Sequence, residues 1–238
     1  MIFPEDEAHH AVRVLRIKTG EEVAVVDGEG NWYRTTVEVL GRRKLVGRVQ
    51  EHRRSVGEPP YDLVIGIGML KNANRFETFL EKAVELGVRR VIPLNTKRSE
   101  RSRIKKKRVE TIVMSAMKQT GRSRRMEISE AVKLRKWIKD LPDAQGEFRA
   151  ICHKREADDQ NLSEALLMAE TKKTIRILIG PEGGFMDEEL GLAVGAEFTI
   201  VSLGPRRLRT ETAAMVAAST VMLHAYNEAK LETRIIAR

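Results

Sequence analysis

Two loops rich in glycine and proline carry the residue types best suited to binding a ligand in this chain of 238 residues. Residues 180–185 read Gly-Pro-Glu-Gly-Gly-Phe, and residues 204–212 read Gly-Pro-Arg-Arg-Leu-Arg-Thr-Glu-Thr. Because glycine has no Cβ, such loops adopt positive φ easily and let a ligand approach the backbone closely. The arginines in the second loop suit an anionic partner, although pairing with acids or solvent explains them equally well. The chemistry predicted is binding of a ligand by backbone groups beside positive charge.

The elements around these loops place them at one edge of a predicted sheet. Short β-branched runs at 174–179 and 198–201 predict buried strands, and each loop directly follows one of them. Each loop then leads into a helix, the first opening with acids at 187–189 and the second strongly apolar over 212–228. Ligands of open α/β sheets bind at the carboxyl ends of strands. The pattern therefore predicts a pocket, while two ordinary strand-to-helix turns remain an equal alternative.

Charge and composition narrow the class of protein. The net charge is +9 and the pI about 9.8, which favours polyanionic partners such as nucleic acid. The single cysteine, Cys152, excludes an internal disulfide and a cysteine-based metal site. The histidines are scattered without metal-ligand spacing, so we expect no metal. No apolar stretch approaches a membrane span or a signal core, and we expect a soluble cytoplasmic protein that does not engage a membrane.

Other nucleotide-binding and hydrolase motifs are incomplete or missing in the sequence. Gly66-Ile67-Gly68 follows a predicted strand, but the third glycine of the dinucleotide fingerprint is absent. The sequence also contains no Walker A pattern and no Gly-x-Ser-x-Gly nucleophile elbow. A Rossmann-type or hydrolase function is therefore disfavoured.

The chain divides into two predicted domains. Residues 1–57 contain a hairpin of strands at 23–26 and 32–39 around Asp-Gly-Glu-Gly, then a strand at 45–49, which predicts a small barrel or sandwich. One or two helical turns are expected at 9–16, and a linker at 55–60. Residues 58–238 alternate strands and helices, which predicts a mostly parallel sheet covered on both faces. Further strands are expected at 62–67, 88–94 and 148–153, and helices at 75–86, around 109–117, around 134–141 and at 162–169.

A basic run stands between a predicted strand end and a helix. Residues 97–108 hold eight basic side chains and one acid, Glu100. Such runs usually form a solvated face, but here the predicted ligand edge lies nearby. The more specific interpretation is that some of these side chains contact phosphate groups, and a solvated surface is the alternative.

Residues 178–185 and 203–213 closely resemble the signature of SPOUT-superfamily methyltransferases that modify N3 of a uridine in 16S ribosomal RNA, the RsmE type. Further matches at 9–16, at Lys71 and Arg75, at 81–88 and at 118–122 extend the resemblance over nearly the whole chain. It implies a PUA-like RNA-binding β-barrel at 1–57 and a SPOUT catalytic domain with a trefoil knot at 58–238. The family usually has a further leading strand before the point where this chain starts.

The resemblance also implies S-adenosylmethionine as the cofactor, held in a bent shape by three strand ends. The implied cofactor-binding residues are Cys152, His153, Ile179, Gly180, Glu182, Gly183, Gly184, Leu203, Gly204, Leu208 and Thr210. Glu182 is expected either to complement the sulfonium charge or to cap the following helix.

The chemical step implied is methylation of a base nitrogen that must lose its proton before or during attack. Arg209 and Arg206 are expected to stabilise the resulting anion, and Glu211 to accept the proton, with helix capping as its alternative role. The residues expected to bind RNA are Arg13, Arg16, Lys71, Arg75, Arg98, Arg101, Lys105 and Arg122. The implied partners are 16S ribosomal RNA or the small ribosomal subunit, and a second copy in a homodimer. A SPOUT enzyme for another RNA site and a catalytically silent RNA-binding protein are the alternatives.

Overall fold

The computed structural model describes residues 1–41, 44–99, 104–153, 160–169 and 173–236, with side chains as far as residue 227. These residues form two compact units. One contains Met1–Glu58 together with Met117–Arg125, and the other contains Pro59–Ala116 together with Met126–Arg238. The sequence predicts a continuous second domain from residue 58 onward, whereas the segment Met117–Arg125 packs with the first unit.

The first unit is a three-stranded antiparallel sheet with one helix. Its elements are α1 (Glu5–Arg13), β1 (Glu22–Val26), β2 (Asn31–Leu40) and β3 (Leu45–Arg54), with strand order β1-β2-β3. The predicted hairpin is confirmed, and the Asp27 carboxylate accepts hydrogen bonds from the backbone of Glu29 and Asn31 across its turn. Helix α1 starts four residues earlier than predicted, and its buried Ala8 and Ala11 pack on the sheet.

The start of the chain pairs with the free edge of β3. The Phe3 amide donates to the Leu45 carbonyl at 3.1 Å, and the Gly47 amide donates to the Met1 carbonyl at 3.0 Å. Ile2 lies opposite Val46 in an antiparallel bridge. Residues 1–3 therefore continue the sheet beyond β3, although the sequence pattern predicts no strand there.

The second unit is an α/β structure around a parallel sheet. Its elements are β4 (Asp62–Gly68), α2 (Ala73–Glu85), β5 (Arg90–Asn95), α3 (Lys106–Thr120), β6 (Glu127–Ile128), β7 (Val132–Lys133), α4 (Leu134–Lys139), β8 (Glu147–Cys152), α5 (Leu162–Met168), β9 (Thr174–Ile179), α6 (Asp187–Gly195), β10 (Thr199–Val201) and α7 (Thr210–Ile236). Within the described residues the sheet has seven strands, ordered β10-β8-β9-β4-β5-β6, with β7 also paired to β5. The pairings are parallel throughout, as predicted.

Helix α2 follows its predicted pattern closely. Its buried residues are those at the predicted helical spacing, namely Phe76, Phe79, Leu80, Ala83 and Val84. The Asn72 side chain accepts a hydrogen bond from the Asn74 amide and so caps the first turn. Gly87, at φ 79°, follows the last turn, where a left-handed residue commonly ends a helix. The amphipathic period, the N-terminal cap and the C-terminal glycine of α2 therefore all agree with the observed helix.

Strands β6 and β7 and helix α4 also differ from the sequence prediction. The two-residue strands β6 and β7 are too short to leave a periodic signal. Helix α4 ends at Lys139 rather than near Leu141, because the residue before Pro142 disfavours helical backbone.

The composition of helix α7 predicts burial on most faces. From Thr210 to Val221 every residue is buried or half-buried, whereas Met222, Leu223 and Tyr226 farther along are exposed. Ala214, Ala217, Ala218 and Val221 are fully buried, but Leu223 is 54% exposed. Helix α7 packs against α2, α5, β4 and β9. The trefoil knot stays a prediction. Within the described part of the chain, none of the helices combines the length and apolar character that crossing a bilayer requires.

Candidate functional site

The carboxyl ends of five strands lie level at one edge of the second unit's sheet. Val201 of β10 pairs with Cys152 of β8, and Cys152 pairs with Ile179 of β9. Ile179 in turn pairs with Ile67 of β4, which pairs with Pro93 of β5. The loops that follow β9 and β10 are thus separated only by the end of β8. This pairing register therefore places the two Gly-Pro loops at the same edge of the sheet, as the sequence predicts.

The loop after β9 is held by a backbone turn and by an unusually close approach to β4. The Gly184 amide donates to the Pro181 carbonyl at 2.8 Å, and Gly184 has φ 71°. A Cβ on Gly68, at the end of β4, would lie 2.4 Å from the Pro181 nitrogen. Gly68 is therefore required for packing of this loop, a role that the incomplete Gly66-Ile67-Gly68 fingerprint does not reveal.

The loop after β10 is tied to the segment that precedes α5. The Ser202 amide donates to the Gln160 carbonyl at 2.9 Å, and the Leu162 amide donates to the Ser202 carbonyl at 3.0 Å. The Ser202 hydroxyl also accepts a hydrogen bond from the Gly204 amide at 3.0 Å. Gly204 has φ 103°, a conformation that side-chain-bearing residues rarely adopt. This loop is consequently shaped by its own glycine and serine.

Both loops present glycines to open space. A Cβ built on Gly184 or on Gly204 would meet no atom within 4 Å. Leu203 and Leu208 are half-buried, and Thr210, the first residue of α7, is buried. The space beside both backbones could thus receive a flat group, whereas a Cβ on either glycine would occupy that space. These residues fit the predicted cofactor.

The third strand end contributes Cys152 and His153. The His153 amide donates to the Val201 carbonyl at 3.0 Å, which extends the pairing of β8 and β10. Burial raises the pKa of the Cys152 thiol to about 12. The thiol is therefore neutral at physiological pH and is not an activated nucleophile. Among the described residues, His, Cys, Asp and Glu side chains form no group of three that could hold a metal ion.

A basic cavity of about 740 Å³ lies beside the loop after β9. It is bounded by the loops that follow β4, β5 and β9, and its lining residues are Lys71, Asn72, Ala73, Arg75, Arg98, Glu182 and Gly183. Three of the four charged side chains in this lining are cations. The cavity therefore suits an anionic ligand. The cations are predicted from the sequence, whereas Asn72 is not; its sequence signal is a capping residue type directly before α2.

The two acids predicted near the site have different surroundings. Exposed Glu182 accepts a hydrogen bond from the Lys71 amide at 3.3 Å. It does not cap α6; that role belongs to Glu189, whose carboxylate accepts from the Met186 amide at 2.9 Å. Glu211 is buried, with Oε1 3.6 Å from Arg75 Nε. Its Oε2 has no hydrogen-bond partner among the described residues. The capping alternative is thus wrong for Glu182.

The predicted arginines of the second loop, Arg206, Arg207 and Arg209, all have exposed side chains. They follow Gly204 directly and precede α7, so they stand at the edge where the loops meet. Exposure leaves them accessible to a ligand, and no described ion pair engages them.

The residues predicted to bind RNA separate into groups. Lys71, Arg75 and Arg98 line the basic cavity. Arg13 and Arg16 are exposed at the end of α1 in the first unit, Lys105 is exposed before α3, and Arg101 lies outside the described residues.

Arg122 requires a correction. It is 3% exposed and its Nη2 donates to Glu58 Oε2 at 2.8 Å, while the Arg124 amide donates to the other Glu58 oxygen. A guanidinium buried against a carboxylate cannot reach RNA without breaking this pair, so its role is structural.

Comparisons with known proteins agree with this architecture. A family model described as an RNA methyltransferase domain matches residues 57–222, and a model described as an RNA methyltransferase PUA domain matches residues 3–50. The ribosomal RNA small subunit methyltransferase E of Aquifex aeolicus is 31% identical over 229 residues, covering 93% of both chains.

Two solved structures resemble the whole chain. A probable rRNA methyltransferase from Porphyromonas gingivalis has a TM-score of 0.85 at 35% identity, covering 95% of this chain and 94% of its own. A ribosomal RNA small subunit methyltransferase E from Neisseria gonorrhoeae, bound to S-adenosyl methionine, has a TM-score of 0.82 at 26% identity, with coverage of 94% and 91%. Because the matched domains and these relatives agree, the chain belongs to the ribosomal RNA small subunit methyltransferase E family.

Proposed function

We propose that this protein transfers a methyl group from S-adenosylmethionine to N3 of a uridine in 16S ribosomal RNA. The observation that carries the proposal is the pair of glycine loops after β9 and β10, which flank the end of β8 beside a basic cavity. Membership of a family of ribosomal RNA methyltransferases, with one solved relative bound to the cofactor, supports the same conclusion. Such a substrate implies a cytoplasmic enzyme.

The proposed cofactor site uses the open backbone at three strand ends. Gly180, Gly183 and Gly184 would contact the cofactor from the loop after β9, together with Ile179 and Glu182. Leu203, Gly204, Leu208 and Thr210 would contact it from the loop after β10, and Cys152 and His153 from the end of β8. The open space beside Gly184 and Gly204 supports this assignment. When bound, the cofactor supplies an electrophilic methyl group.

The chain's own residues must make the uracil nitrogen nucleophilic. N3 of uracil carries a proton at neutral pH, and the anion left by its loss is delocalised onto O2 and O4. A guanidinium fork can bind two such acceptors and is worth most where water is excluded. We assign this role to Arg209, with Arg206 beside it. Glu211 would accept the proton: its Oε2 has no hydrogen-bond partner among the described residues, but this oxygen is buried, so the site must open for the donor to reach it.

The target edge of the base imposes a condition on the RNA. N3 lies on the Watson–Crick edge, so the uridine must be unpaired or flipped out of its helix to react. Exposed cations would bind the flanking phosphates, and the residues proposed are Arg13, Arg16, Lys71, Arg75, Arg98 and Lys105. These contacts would fix the position of the strand without reading its sequence.

A homodimer is also proposed, because α7 leaves apolar surface exposed. Met222, Leu223 and Tyr226 are 37%, 54% and 64% exposed, and Leu223 lies on the side opposite the buried alanines. Apolar side chains in one stripe of a helix need a partner surface to exclude water. A second copy of the chain would supply it, as the family resemblance implies.

The decisive experiment combines binding with mapping of the product. Purified protein should bind S-adenosylmethionine in calorimetry and should transfer a labelled methyl group to small ribosomal subunits from a strain that lacks the gene. A methyl on N3 blocks Watson–Crick pairing, so reverse transcription should stop at one uridine. Labelling elsewhere would indicate another RNA target, and binding of RNA without binding of the cofactor would indicate a silent RNA-binding protein.

Two glycine variants test the cofactor site. Gly184→Ala places a methyl group in the open space between the loops and should weaken cofactor binding at least tenfold. Gly146→Ala is the matched control, because Gly146 also has positive φ, 81° against 71°, and open surroundings, but lies in the turn before β8. Both variants carry the same backbone strain, so equal losses of cofactor affinity would remove Gly184 from the site.

A further inference from the structure

Arg98 contacts the glycine loop with its whole side chain. Its Nη1 donates to the Gly183 carbonyl at 2.6 Å. A Cβ placed on Gly183 would lie 3.1 Å from both Cβ and Cδ of Arg98, so the arginine stem lies directly against this glycine. A side chain at residue 183 would therefore crowd Arg98, which accounts in part for the glycine at this position.

A second contact joins the same two segments through the neighbouring residue. The Lys97 amide donates to Glu189 Oε1 at 2.8 Å, and the Met186 amide donates to Glu189 Oε2 at 2.9 Å. Glu189 is only 6% exposed, so both bonds are shielded from water. The start of the basic run is thus attached both to the glycine loop and to the first turn of α6.

The other side of Arg98 faces the basic cavity. Lys71 and Arg75 line the cavity with it, and the loop residue Glu182 is the single acid of the lining. A guanidinium has five N–H donors, and the described contacts of Arg98 engage only Nη1. The remaining donors suit the oxygens of a phosphate, which a guanidinium binds through two parallel hydrogen bonds.

We propose that the cavity binds a backbone phosphate of the RNA strand, and that Arg98 holds this phosphate and the Gly183 carbonyl at the same time. RNA and cofactor then bind cooperatively, because a phosphate that immobilises Arg98 also immobilises the loop that contacts the cofactor. Coupling of this kind is reciprocal, so each ligand raises the affinity of the other by the same factor. The inference rests on the proposed function, since it takes the glycine loop as the cofactor site.

The experiment measures binding rather than turnover. S-adenosylhomocysteine, which has no methyl group to transfer, is titrated into the full-length protein with and without a saturating single-stranded oligouridylate. We expect the oligonucleotide to tighten binding of S-adenosylhomocysteine by about tenfold, within the usual range for coupled sites. The reverse titration should give the same factor.

Three variants identify the residue responsible. Arg98→Ala should bind both ligands more weakly and should lose the coupling, while Arg98→Lys should recover part of the affinity for RNA. Lys105→Ala is the matched control: Lys105 is an exposed cation of the same basic run with no described contact to the loop. It should weaken binding of RNA and leave the coupling factor unchanged.

Two results would overturn the inference. The first is that the two ligands bind independently to the unaltered protein. The second is that Arg98→Ala has the same coupling factor as the unaltered protein. The cavity could instead hold the carboxylate of the cofactor, in which case Lys71→Ala would weaken S-adenosylhomocysteine binding without RNA and the phosphate assignment would fail. Failure of the unaltered protein to bind S-adenosylhomocysteine at all would count against the proposed function itself.

Discussion

Replacing Gly68 by alanine tests whether the close approach of β4 to Pro181 fixes the glycine loop. The added Cβ would lie 2.4 Å from the Pro181 nitrogen and 2.5 Å from its Cδ, against an ordinary contact of 3.4 Å or more. One backbone must therefore move by roughly 1 Å, because the obstructing atoms belong to a proline ring and cannot rotate away. Overpacking of this kind costs about 1–3 kcal/mol. We expect a loss near the upper end of this range.

The same displacement moves the loop that carries Gly180, Gly183 and Gly184. Urea denaturation should show a lower free energy of unfolding with an unchanged m value, and calorimetry should show at least a tenfold loss of cofactor affinity. Gly191→Ala is the control, because its Cβ meets nothing within 4 Å inside helix α6. That change should stabilise the protein by about 0.5–1 kcal/mol. A Gly68→Ala protein with unaltered stability and affinity would refute the role given to Pro181.

Three further outcomes are expected. Arg209→Ala should slow single-turnover methylation about a hundredfold with little change in cofactor affinity. Arg209→Lys should recover part of the rate. An unchanged rate in Arg209→Ala would mean that Arg209 has only a structural role. Leu223→Glu should convert a dimer to a monomer in light scattering, whereas a monomeric unaltered protein with full activity would exclude the dimer. Cys152 is half-buried, and desolvation raises the pKa of its thiol to about 12. Iodoacetamide should therefore alkylate the folded protein far more slowly than the unfolded chain at pH 8, and equal rates would contradict the raised pKa.

The thiol of Cys152 also gives stability a pH dependence. The folded-state pKa is raised from 9.0 to about 12, so the folded protein holds this proton more tightly than the unfolded chain. The contribution is fully present below pH 9 and is lost as the pH rises toward 12. Cys152→Ala should remove this alkaline decline, which denaturation at pH 8 and pH 10 would measure.

Much of this fold is predictable because local signals and tertiary packing agree. The apolar period of α2 predicts its five buried residues, and the alternation of strands and helices predicts a parallel sheet. The site is predictable for a related reason. Parallel pairing brings the carboxyl ends of the strands to one edge, so both glycine loops are expected at that edge, although the order β10-β8-β9 that separates them by one strand is not predicted from the sequence.

What the sequence does not reveal depends on contacts between residues far apart in the chain. Gly68 lies against Pro181, and Arg122 is buried against Glu58, but neither partner is indicated by spacing or composition. Arg122 and Arg98 both lie in basic stretches of the sequence, but Arg122 is buried in an ion pair with Glu58 whereas Arg98 is exposed and donates to a backbone carbonyl. Charge alone therefore overpredicts contacts with RNA.

The arrangement divides the two tasks of the proposed reaction between different kinds of residue. The backbone of the glycine loops leaves room for a bound group, because any side chain at Gly184 or Gly204 would occupy that space. The charges belong to other residues, namely the cations that line the basic cavity and the exposed arginines before α7. A methyl transfer to a base anion requires both an uncrowded methyl group and stabilised negative charge on the base. Because Arg98 contacts the loop and lines the cavity, a change at this one residue should disturb both tasks together.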